Sequence, residues 1–538
     1  MSHFGNLYQS LLDDTLDVSL YCFGPELTLC VTIVVLLVLR LCGPADRLIP
    51  PYLTALVGSL ITLFLAGSQL LDLQNAEVSP TPFFTGMLMF DHLGAYIRGL
   101  LALFLVLVIS LTVLSGIPDR EDGPDFYTLL LGATIGMMMM ASANHMLMFF
   151  LAIEMTSVPS YVMVGFLKGR RPSSEAAFKY VVYGAGAAGV MLYGISLLTG
   201  LLGTGSLPEM ASHLSAVVGN SGGIGDAASR TVLLAILMVL VGLAFKLAVV
   251  PFHFWCPDAF EGASAEVAGF LSVASKGAAF ALLVRFLLAF VGGSEIPMPE
   301  VFTGLGVAIG VIAAVTVTFG NLAAYSQTNV KRLLAYSTIA HAGYMLMAVS
   351  ALVVVLSGGS NVGGFDVEAA SVMCLEGLLF YLFVYLFMNL GAFAVVALIR
   401  NEIFSEEIED YNGIGWQAPA LCCCMVVCMF SLVGLPPFGG FWGKLVIFMS
   451  LFNAGQVHWF MWVLLVIGGL NTVFSLFYYL RVLKAMFIGE RSADARPIEI
   501  PAPIGNYALL LAIPVLLLGM FPTWTTNLAN GVATLLLQ

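Results

Sequence analysis

Of the 538 residues 60% are hydrophobic and only 10% are charged, against roughly a quarter charged in soluble domains. That balance excludes a soluble globular chain. The net charge of −12 comes mostly from acids in short loops and gives no footing for a nucleic-acid partner.

Apolar runs of about twenty residues recur along the whole chain, each long enough to cross a ~30 Å hydrocarbon core. About fourteen are readable: 21–41, 51–71, 94–115, 126–142, 144–167, 176–203, 230–250, 266–292, 301–322, 333–356, 370–398, 418–452, 458–487 and 505–525. A transmembrane β-barrel would show short alternating segments instead, so the expected fold is all-α, a polytopic membrane bundle. The N-terminal stretch MSHFGNLYQSLLDDTLDVS lacks the basic region of a signal peptide, and the first apolar segment is expected to remain as a span.

Ionisable residues inside the spans come next in chain order. Glu154 lies in FFLAIEMTSVPSY, Lys246 in LVGLAFKLAVVPFHFW, Lys276 in FLSVASKGAAF and Lys444 in LPPFGGFWGKLVIF. Each costs about 2.5–3.5 kcal/mol at a helix centre on insertion scales. Snorkelling to the interface is the bland alternative for a lysine near a helix end. Three of the four sit beside helix breakers: Pro159 after Glu154, Pro251 after Lys246, and Pro436, Pro437, Gly439, Gly440 and Gly443 before Lys444. Proline frees a backbone carbonyl, which must then be met by water or side chains. Broken helices of that kind line polar cavities at mid-membrane, where coupling ions bind.

The residue types point to protons. A lysine in a low-dielectric site gives up its proton more readily, and a nearby carboxylate holds it on. A charged lysine cannot coordinate a metal cation. His341 in YSTIAHAGYML is a candidate relay partner, with a packing histidine as the competing reading, and His253 is read as structural. Glu376 is read as interfacial and EIFSEEIEDYNGIG as an acidic surface loop or subunit contact. GTGSL and GNSGGIGD follow no strand and are read as flexible loops. Cys422, Cys423, Cys424 and Cys428 lack the paired spacing of a metal site and are read as packing residues. No haem, flavin, iron–sulfur or nucleotide motif is seen.

The twenty basic residues are distributed unevenly. Fourteen, from Arg40, Arg47 and Arg120 to Arg491 and Arg496, fall in loops after odd-numbered spans, with Arg98 and Arg230 assigned to the opposite face. The positive-inside rule then places both termini away from the cytoplasm. Residues 126–292 and 301–487 each hold five spans, with a lysine-bearing, proline-interrupted fourth span. Five is odd, so the second group enters from the other side, an inverted repeat. Residues 1–125 supply three further helices and 488–538 a C-terminal one.

At these residues the chain resembles the antiporter-like membrane subunits of respiratory complex I, most closely the N type. The matching stretches include PELTL, ASANHMLMFFLAIEMTSVPSYVMVGF, GLAFKLAVVPFHFWCPDAFEGA, FLSVASKGAAF, NLAAYSQTNVKRLLAYSTIAHAGY, GLPPFGGFWGK and FSLFYYLRVLKAMF. The resemblance implies a proton path along a mid-membrane polar axis. In it Glu154 pairs with Lys246, Lys276 is the central lysine, and Lys444 is the lysine of the twelfth span. It also implies that redox chemistry between NADH and quinone belongs to other subunits and that this chain has no cofactor of its own. Neighbours would be an M-like antiporter subunit, a small K-like subunit and the lateral helix of an L-like subunit, in a bacterial inner membrane with both termini periplasmic. The chain departs from the family at EGASAEV, where EGAPTPV is commoner. That change is expected to affect only a loop and to leave the buried charge set intact. Rival readings are a free-standing cation/proton antiporter, the equivalent subunit of a hydrogenase or photosynthetic dehydrogenase complex, and a membrane scaffold whose charges only pair helices.

Overall fold

A computed structural model describes residues 14–42, 49–75, 78–118, 122–219, 227–292, 298–491, 498 and 500–537. Arg47, Arg120, Arg496 and most of GNSGGIGD lie outside the described residues. The chain is an all-α bundle, and among the described residues thirteen helices are long and apolar enough to cross a membrane. The first three are α1 (Gly24–Leu41), α2 (Pro51–Gln74) and α3 (His92–Ser115). Between α2 and α3 runs a short antiparallel hairpin, β1 (Thr81–Phe83) with β2 (Leu88–Phe90). Next come α4 (Gly123–Ser142), α5 (Met146–Val164), α6 (Arg171–Leu202), the short α7 (Leu207–Gly219) and α8 (Ala227–Leu247). The eight-residue α9 (Trp255–Gly262) precedes α10 (Ala265–Val291), α11 (Pro299–Ala324), α12 (Val330–Gly358) and α13 (Val367–Ile403).

The sequence segment 418–452 is two helices, α14 (Pro419–Val433) and α15 (Gly439–Ala454), neither long enough to span alone. The chain ends with α16 (Phe460–Ile488), α17 (Ala502–Met520) and α18 (Thr523–Leu537). The C-terminal part holds one helix of span length, α17, and the shorter α18, divided at Phe521 and Pro522.

Local chemistry sets these limits. Proline occupies the first turn of α1, α2, α4, α6, α11, α14 and α17, where its missing N–H costs nothing. Asp91, Asn329 and Asp366 cap α3, α12 and α13 by accepting from Gly94, Arg332 and Ala369 N–H groups. Each satisfies one donor that a helix start leaves free.

Burial ranks the helices. The apolar window of α10 is 100% buried inside the chain, and those of α12 and α13 are 94% buried. The corresponding windows of α1, α16, α2 and α6 are only 28–33% buried. Polar and ionisable groups in a span face the bundle interior rather than lipid, and α10, α12 and α13 form the core that the others surround. Those three carry the central polar groups.

Pro159 does not break its helix: α5 runs continuously through it. Arg98, assigned from sequence to a membrane face, is buried within α3. Glu376 lies well inside α13 and accepts a hydrogen bond from Asn530 of α18 at 2.8 Å. The acidic stretch after α13 is tied inward. Val330 N–H donates to the Glu406 carbonyl at 2.8 Å, and the Glu406 carboxylate pairs with Lys331 at 2.9 Å and Arg400 at 3.3 Å.

Candidate functional site

Lys246, Lys276 and Lys444 each stand at an irregularity of a helix. Lys246 is the penultimate residue of α8, which stops before Ala248 (φ 56°). The Trp255 indole closes that break by donating to the Phe245 carbonyl at 2.9 Å. Lys276 follows a single π-helical stretch, Leu271–Ser275, inside α10, a distortion often found at functional positions. Lys444 lies in α15 just beyond the gap after Val433. Its Nζ donates to the Leu432 and Val433 carbonyls at 3.0 and 2.9 Å. These are the oxygens a helix end leaves unpaired, and a cation there also meets the negative end of the helix dipole.

One face of α12 connects two of the lysines. Lys276 Nζ donates to the Thr338 carbonyl at 2.8 Å. One turn on, His341 sits between two phenols, with Nδ1 2.6 Å from the Tyr381 hydroxyl and Nε2 3.1 Å from the Tyr479 hydroxyl. Another turn on, the Tyr344 ring lies 4.4 Å below Lys444 Nζ. Positions three apart are helix neighbours, so 338, 341 and 344 form one polar stripe from Lys276 to Lys444. Tyr479 continues it to Ser337 at 2.5 Å. All these groups are buried, and a phenol or imidazole that both donates and accepts is the chemistry a proton relay needs.

Glu154 and Lys246 form a second, separate unit at the bundle edge. Lys246 Nζ donates to Ser157 Oγ at 3.1 Å, one turn from Glu154 on α5. Glu154 itself is only partly buried, flanked by exposed Leu151, Met155 and Val158. Among the described residues no ion pair within 4 Å joins Glu154 to Lys246. His253 is buried against the rings of Phe254 and Phe319. Among the described residues no cluster of His, Cys, Asp and Glu could hold a metal ion.

Sequence reasoning missed the partners: Thr338, Tyr344, Tyr381, Tyr479 and Ser157. A tyrosine inside an apolar run has a hydroxyl that must find a partner, but the sequence does not say which helix supplies it. It also missed several buried charges. Glu26 and Arg98 pair at 2.7 Å with no exposure of either side chain, and Asp91 pairs with Arg285 at 2.5 Å. Near the α9 end of the bundle, Asp258 accepts from Lys179 and Arg332, both at 2.8 Å, and Arg332 also meets Glu261 at 2.5 Å. Burial pushes the Asp258 carboxyl up, but the hydrogen bonds and charges of Lys179 and Arg332 outweigh it and hold the group below its usual range.

Residues 143–475 match the family described as NADH:quinone oxidoreductase/Mrp antiporter, transmembrane, a stretch that contains Glu154, Lys246, Lys276, His341 and Lys444. The chain is 40% identical over 534 residues to NADH-quinone oxidoreductase subunit N of Anaeromyxobacter sp., covering 97% of both chains. It is 38% identical to subunit N 2 of Sorangium cellulosum, over 94% of this chain and 96% of that one. A chain of respiratory complex I from Thermus thermophilus superposes with a TM-score of 0.70 at 30% identity, covering 94% of this chain and 98% of that one. A chain of the Mrp complex from Dietzia sp. has a TM-score of 0.78 at 20% identity, over 96% and 97% of the two chains, and shares the fold. By these relationships the chain belongs to the subunit N family of NADH-quinone oxidoreductase, among the antiporter-like membrane subunits of complex I.

Proposed function

We propose that this chain is one proton-translocating unit of a bacterial complex I, carrying protons along Lys246, Lys276, His341 and Lys444. The observation that carries the reading is the α12 stripe. Lys276 and Lys444 both rest on the helix that bears His341, with hydroxyls of Tyr381 and Tyr479 on its two ring nitrogens. A protonated lysine can release its proton to this hydrogen-bonded chain and take up another, so a proton moves with no net bond made.

Glu154 supplies the bias. It sits one turn from the serine that holds Lys246 and is not locked to the lysine by an ion pair, so a small displacement changes the field that Lys246 feels. In this reading quinone reduction in other subunits drives that displacement, and this chain holds no cofactor of its own. Its neighbours are an M-like subunit, a K-like subunit and the lateral helix of an L-like one. The two five-helix groups, 126–292 and 301–487, act as inverted half-channels, and both termini lie on the periplasmic side.

The test is proton translocation by the assembled complex in proteoliposomes. Glu154→Gln, Lys246→Ala and Lys276→Ala should each leave assembly intact and abolish or strongly reduce pumping. Normal pumping in all three would reject the path. A chain that purifies alone and exchanges sodium for protons would instead support a free-standing antiporter.

A further inference from the structure

The EGASAEV stretch is not a simple loop, contrary to the expectation from sequence. Ser264 caps α10 by accepting from Val267 N–H, and Glu266 lies in the first turn of that fully buried helix. Glu266 is 1% exposed, and neither carboxylate oxygen has a hydrogen-bond partner among the described residues. A buried carboxyl without a partner is among the costliest groups a fold can hold.

Glu266 makes no ion pair within 4 Å among the described residues, although it shares the field of Lys331. Lys331 instead meets the Glu406 carboxylate at 2.9 Å and the Ala263 carbonyl at 2.6 Å, and Arg400 lies 3.3 Å from the same Glu406. Asp258 and Glu261 of α9 are held by Lys179 and Arg332.

Other orphaned polar atoms continue from Glu266 towards the site. Asn389 of α13 donates to Ser272 Oγ at 2.5 Å, while its own carbonyl oxygen is buried and unpartnered. Ser275 Oγ, next to Lys276, and the Tyr385 hydroxyl, one turn from Asn389, are also buried without partners. The Tyr385 ring lies 5.3 Å from that of His341. In the other direction, Gly262, the last residue of α9 and four positions before Glu266 in the chain, lines an open cleft of about 160 Å³ walled by Lys179, Asp258, Glu261 and Arg332. Buried polar groups in native proteins are satisfied by protein or by water, and a run of them from a polar cleft to a lysine suits a hydrated file.

We infer that Glu266 is a proton-carrying carboxyl linking this cleft to Lys276 and His341. The inference rests on the proton path proposed above. The carboxylate takes a proton from water at the cleft, becomes neutral, and passes it to water held by Asn389, Ser275 and Tyr385, returning to the carboxylate. Lys276 is about ten residues, or roughly 15 Å, further along the helix, a distance that the Asn389 and Tyr385 turns divide into short steps.

The experiment uses the assembled complex in proteoliposomes with Glu266→Gln, Glu266→Asp and Lys276→Ala. Glu266→Gln should lower pumping several-fold, and Glu266→Asp should restore most of it. Infrared difference spectra between two pH values should contain a carboxylic C=O band that is lost in Glu266→Gln, shifted in Glu266→Asp and kept in Lys276→Ala. If Glu266→Gln fails to assemble, the band in Glu266→Asp decides: a shifted band supports the assignment and an unshifted spectrum overturns it. Unchanged pumping and spectrum in Glu266→Gln, with Lys276→Ala blocked, would overturn this inference alone. Normal pumping in Lys276→Ala would remove the path on which it rests.

Discussion

The side-chain stem of Lys444 occupies the space that a side chain on Gly434 would fill: a Cβ there would lie 2.9 Å from Lys444 Cδ. Gly434 ends α14 with φ of +89°, a left-handed conformation that glycine adopts without strain. The same glycine therefore stops the helix, leaves its last carbonyls free, and makes room for the lysine that binds them.

Gly434→Ala should act through both effects. The left-handed backbone costs a residue with a Cβ about 1–2 kcal/mol, and the methyl group displaces Lys444 from the Leu432 and Val433 carbonyls. We expect the complex to assemble with modestly reduced thermal stability and to lose pumping as Lys444→Ala does. A pumping rate equal to the unaltered complex would separate the glycine from the lysine.

The hydrogen bonds around His341 make a graded prediction. Tyr381 is 2.6 Å from Nδ1 and Tyr479 is 3.1 Å from Nε2, and hydrogen bonds weaken as they lengthen. Tyr381→Phe should slow proton translocation more than Tyr479→Phe, and His341→Ala more than either. Initial rates of proton uptake, read with a pH-sensitive dye, would rank the three. Equal rates in all of them would make His341 a packing residue.

Much of this arrangement was legible in the chain itself. Apolar runs of span length read as membrane segments, so the lysines of α8, α10 and α15 stood out against them. Their partners did not, because Thr338, Tyr381 and Tyr479 become polar neighbours only when three helices distant in sequence pack together. Glu26 was hidden for the same reason. It lies near the start of the first apolar run, and its partner Arg98 is 72 residues later in the chain. Pro159 misled in the other direction, since α5 keeps its course through a proline that sequence reads as a break.

Asp258 offers a pH test outside the spans. Its carboxyl lies below the ordinary range in the folded chain because Lys179 and Arg332 bond the charged form. A depressed carboxyl stabilises the fold fully above its unfolded value, about 3.9, and loses that contribution as pH falls towards the folded value. The melting temperature of the detergent-solubilised complex should exceed that of Asp258→Asn by a constant margin from pH 7 to about 5, and the margin should narrow below about pH 4. A margin that grew on acidification would contradict the assignment.

The Glu26–Arg98 pair should matter for assembly rather than for pumping. Both side chains have no exposure, Arg98 also donates to the Cys22 carbonyl at 3.1 Å, and its guanidinium lies 5.7 Å from the Phe83 ring. The pair thus fastens α1 to α3 and to the hairpin between α2 and α3. Removing one member leaves the other charge buried and uncompensated, at a cost of about 3–5 kcal/mol, whereas replacing both with apolar residues of similar volume is often neutral. Arg98→Met and Glu26→Leu should each lower the yield of assembled complex sharply, and the double variant should recover most of it with normal pumping. Recovery of assembly with pumping still absent would move the pair from the scaffold into the proton path. Additive losses in the double variant would mean that the two residues act independently despite their 2.7 Å contact.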